Sequence, residues 1–293
     1  MQPVGKLSGR EQLHFLLTNR IPRRLATRFM GRFSRIESKW LTRLSLAIWR
    51  LCSDDLDLAE ARQREFCSIH DCFTRRLAEG ARSFDPREEV VCSPCDAIVG
   101  AMGAVEEATV YQAKGFPYEL QDLLPDADLC ERYRDGVYVT LRLRSGMYHR
   151  FHAPVDSEIR QAIYISGDTW NVHPIALKRV EKLFCRNERV VLDLWRQGQP
   201  AGICLVAVAA ILVASIRLEC LEHPLDLSYA GPTVIPCGGS YGRGDELGYF
   251  EHGSTIILLA ERGHTLCEGV SSGQRIAAGQ PVLTRPDRTE LAA

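Results

Sequence analysis

From Leu25 to Ile48 large apolar residues return every three or four positions: Leu25, Phe29, Phe33, Ile36, Trp40, Leu44 and Ile48. Side chains at that spacing share one face of a helix. Arg28, Arg32, Arg35, Lys39 and Arg43 keep the same spacing on a neighbouring face. The pattern predicts one continuous amphipathic helix with large aromatics on one side and cations beside them. A second helical stretch is expected over Leu56 to Leu77, with Phe66 and Phe73 as core anchors. After about residue 88 the texture changes. Short Val/Ile/Leu/Tyr runs, at Val90–Val91, Ala97–Met102, Gly136–Leu143, Ile159–Ile165, Val190–Trp195 and Thr255–Leu259, alternate with Gly, Pro and Asp. These read as strands, with turns at Gly167-Asp168 and Gly238-Gly239. Short helices are expected at Leu120–Leu124 and Ile175–Leu183.

The most apolar run, Ile203 to Ile216, follows Gln197-Gly-Gln-Pro200 and is rich in Val, Ile and Ala. A bilayer-spanning helix needs about 20 apolar residues. The run falls short, so a buried strand or pair of strands is expected and no membrane span. The N-terminus lacks the apolar core and small-residue cleavage site of a signal peptide. The expected fold class is α+β, basic amphipathic helices followed by a β-rich body.

Charge sharpens this picture. The 36 basic and 37 acidic residues nearly cancel, which argues against a nucleic-acid binder. Residues 20–50 nevertheless hold nine Lys or Arg against one acid. A basic helix carrying large aromatics suits an anionic membrane surface, with Arg28, Phe29, Arg32, Phe33, Lys39 and Trp40 as contacts. The competing reading is an ordinary surface helix packed on the core. Eleven cysteines, odd in number and set among apolar residues, read as buried free thiols. Cys92 and Cys95 form a lone C-x-x-C, read as two small residues in a turn rather than a redox pair or metal site. No metal centre is expected.

Four residues carry candidate chemistry. Asp96 sits between a polar turn and an apolar strand. His149 and His152 lie in Tyr148-His-Arg-Phe-His-Ala-Pro154, on opposite faces if the backbone is a regular strand. Ser254 follows Gly253 and precedes a β-branched run. Such a serine attacks either a bound substrate or the preceding peptide carbonyl. The first choice usually comes as G-x-S-x-G at a strand-to-helix elbow, which His252-Gly-Ser-Thr-Ile256 is not. The residues by themselves leave an Asp/His/Ser constellation without a stated purpose.

Six stretches, in order, resemble the phosphatidylserine decarboxylase proenzyme family of bacterial type. They are Ser93-Pro-Cys-Asp96, Gln112-Ala-Lys-Gly115 with Tyr118 and Leu120, Tyr148–Pro154, Asn187-Glu-Arg189, Val213-Ala-Ser-Ile216 and Gly253-Ser-Thr255. The tail at Gly269 and Gly279-Gln-Pro281 also fits. The resemblance implies self-processing: Asp96 orients His152, His152 acts as general base, and Ser254 attacks the Gly253 carbonyl. The chain then divides between 253 and 254, and Ser254 becomes a covalent pyruvoyl cofactor. That group forms a Schiff base with phosphatidylserine and serves as electron sink for loss of carbon dioxide, giving phosphatidylethanolamine. His149 is the candidate for protonating the α-carbon or meeting the substrate carboxylate. The implied organisation is a membrane-associating region over 1–80 and a catalytic domain over 81–293. The implied setting is the cytoplasmic face of a bacterial inner membrane, with anionic lipids as partners and a homodimer of processed protomers. A decarboxylase of a soluble amino acid and an unprocessed, non-catalytic member stay open as alternatives.

Two departures from the family pattern matter. The family commonly has glycine where Ala97 follows Asp96, so a required positive φ would displace the carboxylate. The family commonly has leucine where His252 precedes Gly253.

Overall fold

A computed structural model describes residues 22–52, 56, 58–113, 116–196, 199–211, 215–251 and 254–285. The α+β expectation holds: short N-terminal helices lead into a large antiparallel β body.

The single long helix of the sequence reading is two helices, α1 (Arg23–Ser34) and α2 (Lys39–Cys52). The break has a local cause. The N–H groups of Arg35 and Ile36 turn back to Arg32 and Phe33, three residues earlier, which tightens and ends α1. Ser38 then starts α2. Its hydroxyl accepts from Leu41 N (3.4 Å) and its carbonyl from Thr42 N (2.8 Å), while its own N–H goes to Cys67 O (3.1 Å). Among its described residues, the stretch over Leu56 to Leu77 is helical only at α3 (Ile69–Phe73), started by the Ser68 hydroxyl accepting from Asp71 N. The preceding residues instead cross to a bridge between Ala61 and Leu77. Phe66 and Phe73 are buried, as expected.

Both long helices present an unusual face to the body. Thr27, Gly31 and Ser34 of α1, and Thr42 and Leu46 of α2, point inward. Leu25, Phe29, Trp40 and Leu51 point outward and are exposed by 67, 64, 73 and 87%. Ile36, Leu44 and Ile48 share that outer side. Arginines dock α1 at both ends. Arg23 grips the Asp168 carboxylate through Nε (3.1 Å) and a terminal nitrogen (2.5 Å), with its guanidinium 3.8 Å over the Trp170 ring. Arg35, just past the other end, reaches Glu251. Polar anchoring therefore holds this helix, and its apolar stripe is left in water.

The body is built on an eight-stranded antiparallel sheet. Its order is Val234–Tyr241, Ser157–Ile165, Arg189–Arg196, Gln199–Ala209, Ser254–Ala260, Val137–Leu143, Ala97–Ala104 and Arg275–Ile276. A smaller sheet of Leu225–Asp226, Ser215–Leu218, Glu246–Phe250 and Arg150–His152 lies against it. Every residue of Ser254–Ala260 is buried. Ile256, Leu258 and Ala260 enter one core, shared with Phe151, Ile216 and Phe250 of the small sheet, while Ile257 and Leu259 enter the core on the other side. At roughly 1.5–3 kcal/mol per buried Ile or Leu, this strand is a rigid partition between two cores. By the two-residue alternation Ser254 shares the face of Ile256, toward the small sheet.

The apolar run at Ile203–Ile216 is indeed a pair of strands, and no helix among the described residues is long and apolar enough to cross a membrane. Gly238-Gly239 is not a turn: it lies within Val234–Tyr241, where a bulge shifts the register between Pro236 and Gly239. At Gly167-Asp168, too, the chain continues past a neighbour, Asp168 bridging Asn187, and a Cβ on Gly167 would sit 2.6 Å from Arg186 O. Ile175–Leu183 splits into Pro174–Leu177 and Leu183–Arg186.

Candidate active site

Ser254 opens the central strand, paired in register with Leu143 on one side and Ala209 on the other. Its hydroxyl is fully buried and has no hydrogen-bond partner among the described residues. An orphaned buried hydroxyl costs about 1–3 kcal/mol; Ser254 shares this condition with Thr140, Ser215 and Thr255 and differs from them in following Gly253 at the head of the central strand. His252 and Gly253 lie outside the described residues, as do Lys114, Gly115, Val213 and Ala214 of the quoted motifs.

Asp96 closes the turn between Val90–Cys92 and Ala97–Ala104. That turn is stitched down on three sides: Ser93 N donates to Gln280 O (2.7 Å), Gly279 N to Ser93 O (2.9 Å) and His152 N to Pro94 O (2.8 Å). Gly279 has φ +90°, and a Cβ there would stand 2.2 Å from Ser83 O, so glycine is required at this crossing. The same loop sends Ala278 N to Asp96 Oδ1 (2.9 Å). The rest of the carboxylate is taken by Arg82, whose Nε lies 2.8 Å from Oδ1 and whose terminal nitrogen lies 2.5 Å from Oδ2. Ala97 does not need a positive φ; it begins a regular strand opposite Ile276. The replacement of the family's glycine therefore leaves Asp96 in place.

His152 ends the strand Arg150–His152. Its Nδ1 lies 2.8 Å from Gly244 O and its Nε2 lies 3.0 Å from the Tyr148 hydroxyl. A carbonyl only accepts, so Nδ1 carries the proton and Nε2 is the basic nitrogen. Burial pushes the imidazole below its ordinary 6.5; the Gly244 carbonyl and the Asp96 charge oppose this without cancelling it. The ring is neutral at pH 7, as a general base must be. Tyr148 stacks on it at 5.7 Å and Phe84 covers it at 5.7 Å. Gly244 itself sits at φ +92°, with Phe84 against the place a Cβ would occupy.

The expectation is that Asp96 orients His152 and that His152 faces Ser254. Among the described residues, Gly244 rather than Asp96 orients His152, and Asp96 acts on it through its charge. His149 is separate from His152. Its Nδ1 lies 2.8 Å from Met147 O, and its fully buried ring lies 3.9 Å from that of Phe73. Its carbonyl accepts from Phe250 N (3.0 Å), which ties it to the strand that leads to Ser254. Sequence reasoning missed Arg82 and Gly244, which lie 14 and 92 residues from the side chains they hold, Asp96 and His152. It also missed Tyr148 as a partner, although the four-residue spacing to His152 was in the quoted motif.

Among the six expected membrane contacts, Arg28, Phe29, Arg32, Lys39 and Trp40 are exposed, and Phe33 is half-buried, stacked on Phe29 at 6.0 Å. Lys39 lies 3.8 Å from Glu65, an exposed pair. Cys92 and Cys95 are buried free thiols around a turn in which Ser93 Oγ bonds Cys95 O. No cluster of three or more metal-ligating side chains occurs among the described residues.

A family model described as phosphatidylserine decarboxylase matches residues 69–284. Three relatives, each named phosphatidylserine decarboxylase proenzyme, extend the match. The protein of Aliivibrio salmonicida is 32% identical over 273 residues, 89% of this chain and 93% of its own length. That of Vibrio cholerae is 33% identical over 281 residues, covering 89% and 94%. That of Brevibacillus brevis is 30% identical over 274 residues, covering 92% and 96%. With the six motifs, the geometry around Ser254 and matches spanning nearly the whole chain, this protein belongs to the phosphatidylserine decarboxylase proenzyme family, a family of lyases.

Proposed function

We propose that the chain cleaves itself between Gly253 and Ser254 and then decarboxylates phosphatidylserine at a membrane surface. The observation that carries this reading is the buried, unpartnered Ser254 hydroxyl at the head of a rigid strand, one residue after a glycine. His152 Nε2 accepts the hydroxyl proton as Oγ bonds to the Gly253 carbonyl carbon. The C–N bond to Ser254 breaks, the nitrogen takes up a proton, and an ester replaces the amide. Loss of the Ser254 α-proton breaks the Cβ–Oγ bond and releases residues 1–253 with a C-terminal carboxylate. Water then replaces the α-nitrogen, which leaves as ammonia, and the 40 residues from 254 to 293 begin with a pyruvoyl group.

Nδ1–H stays on Gly244 O throughout, so the imidazole keeps its tautomer, and the Tyr148 hydroxyl must leave Nε2 before that nitrogen can take the proton. The Asp96 charge favours the charged imidazole that results, and Arg82 with Ala278 N holds the Asp96 carboxylate in place. At residue 254 the pyruvoyl ketone supplies an acceptor for the electron pair left behind when carbon dioxide departs. The orphaned position of Ser254 fits such a group. His149, whose Nδ1 lies against Met147 O, is assigned either the protonation of the product carbon, once its ring has taken up a proton, or the contact with the substrate carboxylate.

A lipid substrate requires a docked enzyme. The outward stripe of Leu25, Phe29, Ile36, Trp40, Leu44 and Ile48, with Arg28, Arg32 and Lys39 exposed on the same two helices, supports binding in the plane of an anionic leaflet. Residues 1–80 are the membrane-associating region and 81–293 the catalytic domain of this proposal, and the cytoplasmic face of a bacterial inner membrane is its setting. A homodimer of cleaved protomers belongs to the same reading, and light scattering of the cleaved protein measures it.

Intact mass spectrometry of the denatured protein tests the first half. Two chains are expected, the smaller lighter than its encoded mass by the change from serine to pyruvoyl; one full-length mass refutes self-cleavage. Carbon dioxide release from mixed micelles of phosphatidylserine, compared with free serine, tests the second. Turnover of free serine alone would replace the lipid with a soluble amino acid.

A further inference from the structure

Glu251 is the last described residue before the scissile pair, and its surroundings are out of keeping with a loop position. Its side chain is almost wholly buried, with 2% of its surface in water. One carboxylate oxygen takes the Arg35 guanidinium at 2.5 Å. The other lies 3.1 Å from His70 Nε2 and 3.9 Å from Arg217 Nε. Burial pushes the carboxyl up, but the His70 hydrogen bond and the Arg35 charge outweigh it and hold the group at about 2. The main chain is fixed as well, Glu251 N to Ser215 O (3.1 Å) and Phe250 N to His149 O (3.0 Å).

These partners come from three separate places. Arg35 belongs to the short link between α1 and α2, His70 to α3, and Arg217 to the small sheet. One carboxylate thus fastens the helical front to the chain three residues ahead of Ser254. On the far side of the scissile bond, Ser254 is locked by the central strand. An anchor on each side leaves only residues 252 and 253 between them. An attack of a side chain on its own preceding carbonyl depends steeply on where that carbonyl is held; a displacement of about 1 Å costs on the order of 100-fold in such steps.

We propose that Glu251 and Arg35 are positioning residues for self-cleavage, so that the helical front serves maturation in addition to membrane docking. This rests on the self-cleavage reading above. Nothing in the reaction passes through either side chain. Their part is to hold the peptide entering the 253–254 bond in the register at which Ser254 Oγ reaches its carbonyl.

The test uses the full chain, made by cell-free synthesis and followed to two chains on denaturing gels, with folded fraction read by limited proteolysis. Arg35 is half exposed, so Arg35→Ala should fold. It and Glu251→Gln are expected to lengthen the half-time of cleavage at least tenfold among folded molecules, and Arg35→Lys is expected to restore most of the rate. Hydroxylamine, which cleaves an accumulated ester, should not rescue the slow variants, because the slowed step is formation of that ester. Wild-type rates in both slow variants would overturn the proposal. So would a loss that tracks the folded fraction and is not recovered by lysine, since that is a purely structural role. A wild-type chain that stays intact would instead refute the self-cleavage reading, and this role with it.

Discussion

Replacing Phe29 and Trp40 together by serine separates the two readings of the N-terminal helices. Phe29 and Trp40 are exposed by 64 and 73%. A buried aromatic side chain covers about 150–250 Å², so each ring here leaves on the order of 100 Å² or more in water. Full transfer of that area into hydrocarbon is worth about 2.5–4 kcal/mol per ring. Residence at the headgroup boundary captures roughly half, about 1.5 kcal/mol each, or a tenfold change in affinity per ring. The double variant should therefore bind vesicles of mixed phosphatidylglycerol and phosphatidylcholine about 100-fold more weakly in a flotation assay. Its thermal midpoint should barely move, because surface substitutions usually stay within about 0.5 kcal/mol. An ordinary packed helix makes the opposite prediction, a loss of about 3–5 kcal/mol for each large-to-small change and no vesicle effect. Leu46→Ala supplies the internal contrast: Leu46 packs on Ala61, Phe66 and Cys72, so stability should fall while vesicle affinity holds. Unchanged flotation of the double variant together with a large drop in midpoint would refute the outward-stripe reasoning.

Ser254→Ala should leave a single 293-residue chain by mass spectrometry, and efficient cleavage of that variant would remove Ser254 from the reaction. His152→Ala should block or severely slow cleavage. In the wild type, burial keeps the folded imidazole below 6.5, so neutral base is present throughout pH 6.5–8 and the cleavage rate should be flat there, falling only below 6.5. The same shift gives the sign for stability: below 6.5 the unfolded chain binds its proton first, so this histidine's contribution is full above 6.5 and is lost as pH falls through the folded value. A rate that halves above pH 7 contradicts a neutral His152. Arg82→Gln leaves Asp96 with only Ala278 N as an intact partner; breaking so buried a pair should cost about 3 kcal/mol, or a midpoint lowered by roughly 5–10 °C, and slow cleavage as well.

Much of this molecule was legible in the order of its residues. The strands at Val90, Ala97, Gly136, Ile159, Val190 and Thr255 came from short β-branched runs, and the four candidate side chains, Asp96, His149, His152 and Ser254, came from motifs. What stayed hidden was set by contacts between distant parts of the chain. The strand Arg150–His152 is three residues long and consists of one arginine, one phenylalanine and one histidine, too short for an alternation that marks a strand, yet pairing with Glu246–Phe250 fixes it. Gly244 has no local sign that its carbonyl will orient a histidine 92 residues earlier.

The helical front shows why the missing information matters. A 3.6-residue stripe of Leu, Phe and Trp reveals an amphipathic helix but not which way it faces, because hydrophobic burial in a core and in a leaflet ask for the same spacing. The deciding residues are the inconspicuous ones on the other side. Thr27, Gly31, Ser34 and Thr42 are small enough to let the helices lie close to the body. Arg23 and Arg35 supply the attractive contacts, each ending on an acid far away in sequence, Asp168 and Glu251. Arg35 looked, by spacing alone, like one more cation in the basic row. Its partner is the buried carboxylate of Glu251, two residues before Gly253, so it is removed from the set proposed to meet lipid headgroups. A charge-neutralising series aimed at the membrane face should therefore take Arg28, Arg32 and Lys39 and spare Arg35, since changing Arg35 would disturb cleavage and docking in one step.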